Sequence, residues 1–365
     1  MILDLYTLDR QTLKIKDYIR CAAWEINRDY LTAEQSTFDI GIVPIAITGD
    51  FVIAKEGEPG TGALVTSGGM MEGFRPLFVG VIDSFENRQI SAGDLYTLIN
   101  FEFPAVRLSG TDVADHLRKL LNKYLFGDPS KIVHINDVYI SSSGSSSHTY
   151  QPDESPTATS LQGYFINAFN KYNVVWDYEF IYQDGDQLDI FSSIKKVDDF
   201  TTLLNLKSNT YYLVNWDIYY TPQGRDIENK LEIYMKDTAA HLSTWYMQMD
   251  GTLTQSFNDH VHCPTKTKVY VFDPPQQDPP TYLEIAQSEL AVNMYTHEIN
   301  VDMLKDNPLI GMEDIKIGRL CNIVHDGSLY KSVLTGYTLT ADSSFISLKF
   351  GNVRSTLQSV LLGGK

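Results

Sequence analysis

Cysteine is scarce. The chain holds three (Cys21, Cys263 and Cys321), scattered, odd in number and without metal-ligand spacing. That excludes a disulfide framework and leaves them as small core residues. Basic charge is short as well: 29 Lys and Arg face 46 Asp and Glu, a net charge of −17. A protein that grips nucleic acid neutralises phosphates with cations, so a gripper is excluded. A surface past which DNA slides without sticking is compatible, because like charges repel. Long apolar runs are missing too. The longest, Ile40 to Ile47, is interrupted by Gly41 and Pro44 and is far below what a bilayer needs. The N-terminus Met1-Ile2-Leu3-Asp4-Leu5 has neither the basic start nor the apolar segment of a secretory signal, which points to folding in a cytoplasm.

Recognisable catalytic patterns are absent. His260-Val261-His262-Cys263 is the only local cluster of metal-type residues. His260 and His262 would share one face of a strand, but no second ligand pair accompanies them, and the segment reads as a polar loop. Gly60-Thr61-Gly62 lacks the third Gly, the Lys-Ser/Thr and the following helix of a phosphate cradle. Neither Gly-x-Ser-x-Gly nor His-Glu-x-x-His occurs. Asp115-His116 falls on a capped helix and reads as a solvated face. Paired carboxylates for glycan cleavage stay open as an alternative, because their separation is a spatial fact. No catalytic, cofactor-binding or metal residue is expected.

What is present is β structure, written twice. At 43% hydrophobic and 21% charged residues the chain is folded, and its 365 residues predict two to four domains. Aromatics reach 12%, which suits strands and large subunit interfaces. Near the start, Trp24-Glu25-Ile26-Asn27 precedes Gly49-Asp50-Phe51-Val52-Ile53, a Gly-rich excursion, and Leu77-Phe78-Val79-Gly80-Val81-Ile82. Near the end, His297-Glu298-Ile299-Asn300 precedes Ile317-Gly318-Arg319-Leu320-Cys321, a turn at Asp326-Gly327, and Leu329-Tyr330-Lys331-Ser332-Val333-Leu334. Both read as strand, Gly-plus-charge turn, strand and hairpin, apolar at period two. A duplicated β-unit lets a few subunits build a ring of twice as many similar units.

Four segments follow. Residues 1–105 read as a first β ring domain, with six glycines between Glu56 and Arg75, Gly60, Gly62, Gly68 and Gly69 among them, forming a long hairpin tip. Residues 106–208 read as an α+β insertion. Its first helix is capped by Ser109 or Thr111, with Val113, Ala114, Leu117, Leu120, Leu121 and Tyr124 as the apolar face. A Ser-rich loop runs through Ser143 and Gly144, and a second helix starts at the Thr159 capping box. A third short helix is expected over 198–207. Residues 209–293 read as β-rich, with a Pro-rich connector and a helix capped by Thr281 and Glu284. Residues 294–365 read as the second β ring unit, closing on Leu348-Lys349-Phe350-Gly351, and a tail holding no further domain. The fold class is mainly β, two tube-like β-barrel ring domains flanking an α+β middle region.

This order resembles the tail-hub proteins of tailed bacteriophages: the trimeric baseplate hub of contractile tails and the tail-associated hub of siphophages. The residues that carry it are Gly49, Asp50, Phe51, Phe78, Gly80 and Ile82 in the first unit, and Gly318, Leu320, Tyr330, Val333 and Phe350 in the second. The resemblance implies a virion protein at the tail tip or baseplate, a homotrimer whose two ring domains per chain match a hexameric tube protein above. It also implies receptor-binding and tape-measure proteins as neighbours, and DNA passing through without specific binding. Some relatives carry a peptidoglycan-cleaving extension. This chain stops at Lys365, soon after the second unit, which argues against a built-in lysin. The loops at 56–75 and 141–148 are the expected gating or contact segments, because long loops poor in apolar residues have low local stability. Two other classes stay open, a tail-associated peptidoglycan hydrolase or endopeptidase and a host glycan-binding module.

Overall fold

The computed structural model describes residues 1–57, 75–104, 112–128, 130–131, 138–143, 158–202, 204–208, 210–220, 228–248, 252–261, 265–273, 279, 281–290 and 297–351. It is mainly β. The first strands are β1 (Leu3–Leu8), β2 (Ile15–Cys21), β3 (Ala23–Asp29), β4 (Gln35–Asp39), β5 (Phe51–Glu56), β6 (Phe78–Glu86) and β7 (Gln89–Asp94). The middle holds β8 (Glu102–Pro104), α1 (Val113–Leu121), β9 (Val138–Ser143), β10 (Ala158–Ser160), α2 (Leu161–Tyr172), β11 (Val174–Asp184) and β12 (Gln187–Lys196). Then come β13 (Asp198–Asp199), β14 (Asn205–Lys207), β15 (Leu213–Tyr220), β16 (Lys230–Met235), β17 (His241–Met247), β18 (Leu253–Thr254), β19 (Thr267–Phe272) and α3 (Tyr282–Glu289). The chain finishes with β20 (His297–Leu304), β21 (Arg319–His325), β22 (Ser328–Thr340) and β23 (Phe345–Phe350).

The two β-units share one sheet, in the order β15-β20-β23-β22-β3-β4-β7-β6-β5-β1-β2, with β21 on β22 and β13 and β14 on β21. The join is β22 against β3, antiparallel, with Gly336 opposite Asp29 and Thr340 opposite Glu25. No pairing among the described residues closes either unit into a separate barrel. Alternation makes the sheet two-faced: Ile26, Phe38, Ile90, Tyr337, Leu339, Ile346 and Leu348 are buried on one side, the polar residues stand on the other.

The insertion packs on the apolar side. Strands β11, β12 and β9 form its sheet, and its core runs without a break into that of the β-units. Residues 228–290 have a core of their own, Leu231, Ile233, Met247, Phe272, Ile285, Ala286 and Leu290, between the sheet β18-β17-β16-β19 and α3.

Local details differ from the sequence expectations at several points. Asp112 caps α1, its Oδ1 accepting from the Ala114 N–H at 2.7 Å. Ser160, not Thr159, caps α2 by accepting from the Gly163 N–H. The helix expected over 198–207 is absent. Asp198–Asp199 and Asn205–Lys207 run parallel to β21 instead, since completing the edge of that strand satisfies more backbone groups than an isolated helical turn. The capping box at Thr281 and Glu284 is present.

Candidate functional site

Strand pairing relates the two units residue by residue. Unit one has the order β3-β4-β7-β6-β5, and unit two β15-β20-β23-β22-β21. Gly49 and Gly318 each stand just before the hairpin with positive φ, +91° and +86°, a conformation that favours glycine. The Gly49 N–H donates to the Ile82 carbonyl at 2.8 Å and the Gly318 N–H to the Leu334 carbonyl at 2.9 Å. Phe51 then pairs with Val81 as Leu320 pairs with Val333. Directly after Ile82 and Leu334 both long strands carry a bulge against their next neighbour. The same register equates Phe78 with Tyr330, Gly80 with Ser332, Ala92 with Phe350 and Phe38 with Val301.

The register corrects one sequence match. Glu25-Ile26-Asn27 lies on β3, while Glu298-Ile299-Asn300 lies on β20, the counterpart of β4. The counterpart of Trp24-Glu25-Ile26 is Trp216-Asp217-Ile218 on β15, which pairs with β20 as β3 pairs with β4. That repeat, aromatic-acid-isoleucine, was open to sequence reading and was hidden by the identical Glu-Ile-Asn triplets.

The candidate functional surface is the polar face running through both units. Glu25, Asp39, Glu86 and Asp217 are exposed on it and Asp302 half-exposed. Its side chains bond across strands. The Thr338 hydroxyl donates to Asn27 Oδ1 at 2.8 Å, and Asn215 Nδ2 donates to Asp302 Oδ2 at 2.8 Å. Lys349 is held by Glu34 at 2.8 Å and Asp29 at 3.7 Å, so its charge is locally neutralised. The surface is tied together by cross-strand hydrogen bonds and is acidic, which repels polyanions.

Behind this face, Arg28 pins three parts of the molecule together. It is buried, lies 3.8 Å over the Tyr178 ring and donates to Asp177 Oδ1 at 2.8 Å. It also donates to the Tyr96 and Tyr337 hydroxyls at 3.1 and 3.4 Å. Unit one, unit two and the insertion therefore meet on one guanidinium, whose planar fork suits several acceptors at once. Asp94 stands close by. Burial pushes its carboxyl up to about 8, while its Oδ1 accepts from the Tyr96 N–H at 3.0 Å. His297 bonds the Ser332 hydroxyl at 2.6 Å, and burial lowers it to about 4.

A second exposed feature is aliphatic. Between β4 and β5, Ile42, Val43, Ile45 and Ile47 face solvent, Val43 at 86% and Ile45 at 73%. The loop is pinned from below: Asp17 accepts from the Ile45 and Ala46 N–H groups, and Asp50 from that of Ile47. The corresponding loop of unit two, between β20 and β21, exposes Leu309 at 72%.

Other expected positions fall as follows. Asp115 is held by Arg118 and Lys119 at 2.7 Å each. His116 does not point outward as expected: it is 1% exposed and bonds the Tyr164 hydroxyl at 3.1 Å, because α2 packs over it. His260 is exposed in a turn, its N–H donating to Asn258 Oδ1; His262 and Cys263 lie outside the described residues. So do Gly60, Gly62, Gly68, Gly69 and Gly144, while Ser143 ends β9. Cys21 and Cys321 are buried and free.

No family model and no curated protein matches the chain in sequence. Solved structures match almost all of it. A protein of the p2 virion baseplate in its activated conformation aligns over 97% of this chain and 100% of its own, with TM-score 0.50 and 11% identity. The 43 kDa tail protein of prophage MuSo2 from Shewanella oneidensis aligns over 97% and 98%, with TM-score 0.55 and 10% identity. A tail protein from Neisseria meningitidis MC58 aligns over 96% and 95%, with TM-score 0.52 and 13% identity. The chain has the fold of phage tail and baseplate proteins.

Proposed function

We propose that this chain is a structural protein of a phage tail, a homotrimeric hub at the tail tip or baseplate that continues the tube and lets DNA pass. The observation that carries the proposal is the duplication: two five-stranded units of one order and register on one chain, in a fold shared with tail and baseplate proteins. Three chains present six such units to a hexameric neighbour. The acidic polar face lines the passage, where fixed carboxylates keep DNA from adhering. The exposed loops at Ile42–Ile47 and Leu309 sit at matching places in the two units and supply apolar contacts for the adjoining tube ring. No catalytic role is assigned; the buried titratable groups have structural partners within the core. Gating during host attachment belongs to the loops at 56–75 and 141–148. Light scattering on the purified chain tests the proposal. A mass of three chains is expected, and a strict monomer also in the assembled tail overturns it.

A further inference from the structure

In unit two, β22 serves three neighbours. One edge meets β23. The other meets β21 over Ser328–Val333 and then β3 of unit one over Gly336–Thr340. In unit one, β6 meets β7 on the first edge and β5 over Phe78–Val81 on the second. Past the bulge, Ser84–Glu86 has no strand on that second edge among the described residues. At the far end of the sheet β15, the counterpart of β3, pairs among the described residues with β20 alone. One chain thus carries both halves of a strand junction it has already made once internally.

We infer that Ser84–Glu86 of β6 pairs antiparallel with the end of β15 of a second copy of this chain, in the register that β22 and β3 use within one chain. Transferring that register puts Phe85 opposite Tyr220 and Glu86 opposite Tyr219, as Tyr337 stands opposite Arg28 and Thr338 opposite Asn27. The Tyr30 N–H donates to the Thr335 carbonyl and the Ala341 N–H to that of Trp24, so Tyr337, which lies between them an even number of residues from each, also turns its backbone groups toward β3. Phe85 inherits that orientation toward the open edge. Open edges invite pairing with another chain, and a head-to-tail contact repeated by rotation closes a ring. The inference rests on the hub proposal for the number of copies; the register comes from the intrachain junction.

The test uses the full chain with Glu86→Cys and Tyr219→Cys, oxidised and run on a denaturing gel without reductant, beside light scattering of the same sample. Pairs opposite each other in a sheet lie within disulfide reach. Covalent oligomers are expected from the double variant, and none from either single variant or from Glu86→Cys with Asp217→Cys. A trimeric mass without the cross-link overturns the pairing and leaves the hub standing. A strictly monomeric mass overturns both, and equal cross-linking of the off-register pair overturns the register. Should the double variant fail to fold, hydrogen exchange of the wild-type chain decides: slow exchange at the Phe85 amide, the one turned to the open edge, supports the pairing, and exchange there at the rate of a free edge refutes it.

Discussion

Arg28 shows how much one side chain carries when three parts of a molecule meet on it. With its charge buried, the ion pair to Asp177 and two tyrosine hydroxyls offset its desolvation, and removing the carboxylate leaves a guanidinium without its counterion. Asp177→Ala should lower unfolding stability by about 3 kcal/mol, read from urea denaturation. A loss below about 1 kcal/mol would mean that Arg28 is not confined as described. Asp94 and His297 set the pH response. Asp94, raised to about 8, keeps its proton in the fold while the unfolded chain releases it above 3.8, so stability falls as pH rises from about 4 to 8. His297, lowered to about 4, stays neutral in the fold while the unfolded chain takes up a proton below 6.5, so stability falls as pH drops from 6.5 to 4. The two oppose each other up to pH 6.5, and above it Asp94 acts alone. Asp94→Asn should therefore raise stability at pH 8 by on the order of 1 kcal/mol and flatten the decline between pH 6.5 and 8, as followed by thermal melts. An unchanged slope there would contradict this. Neither residue stands out in sequence, because a lone Asp or His gains its shift from neighbours that only the fold supplies. His116 is a parallel case: its burial comes from Tyr164, a residue of another helix.

Among the elements, the two hairpins were the most legible. Period-two alternation marked β5, β6, β21 and β22, and Gly49 and Gly318 marked their entries. The β22–β3 junction was not legible, since its partners come from opposite ends of the chain and no local pattern specifies register between them. The segment 198–207 failed for a related reason: its apolar spacing suits a helix, but the free edge of β21 recruits it. Gly318 combines φ of +86° with a neighbour, Val175 Cγ2, only 2.6 Å from where a Cβ would stand. Gly318→Ala should cost about 1–3 kcal/mol from backbone strain and crowding, measured by denaturation of the variant, whereas the same change at half-buried Gly163, with 3.7 Å to its nearest neighbour, should be neutral or slightly stabilising because Ala favours a helix. Equal effects at the two sites would remove the entry glycine from the account. At the aliphatic loop, Val43→Asp with Ile45→Asp should leave the melting temperature within a few degrees, since both side chains face solvent. Binding to the tube ring should be lost, and undiminished co-sedimentation with assembled tubes would show that the loop faces elsewhere.

At the scale of the whole molecule, composition and alternation made the mainly β fold and its helical insertion legible, and the repeated Gly-strand-strand pattern made the duplication so. What one chain could not display was that the two units form a single sheet, with a polar acidic face on one side and the Arg28 node on the other. Those features depend on long-range register and on packing of the insertion, which sequence spacing does not encode. On the proposed function, the duplication builds a ring of six similar units from three chains. Electron cryomicroscopy of the purified assembly, reconstructed with threefold symmetry only, tests it most directly. The expected map shows three chains whose six five-stranded units stand at near-equal angles around an open channel lined by the Glu25, Asp39 and Asp302 face; a particle with one unit per chain at the channel wall, or with that face turned outward, would contradict it.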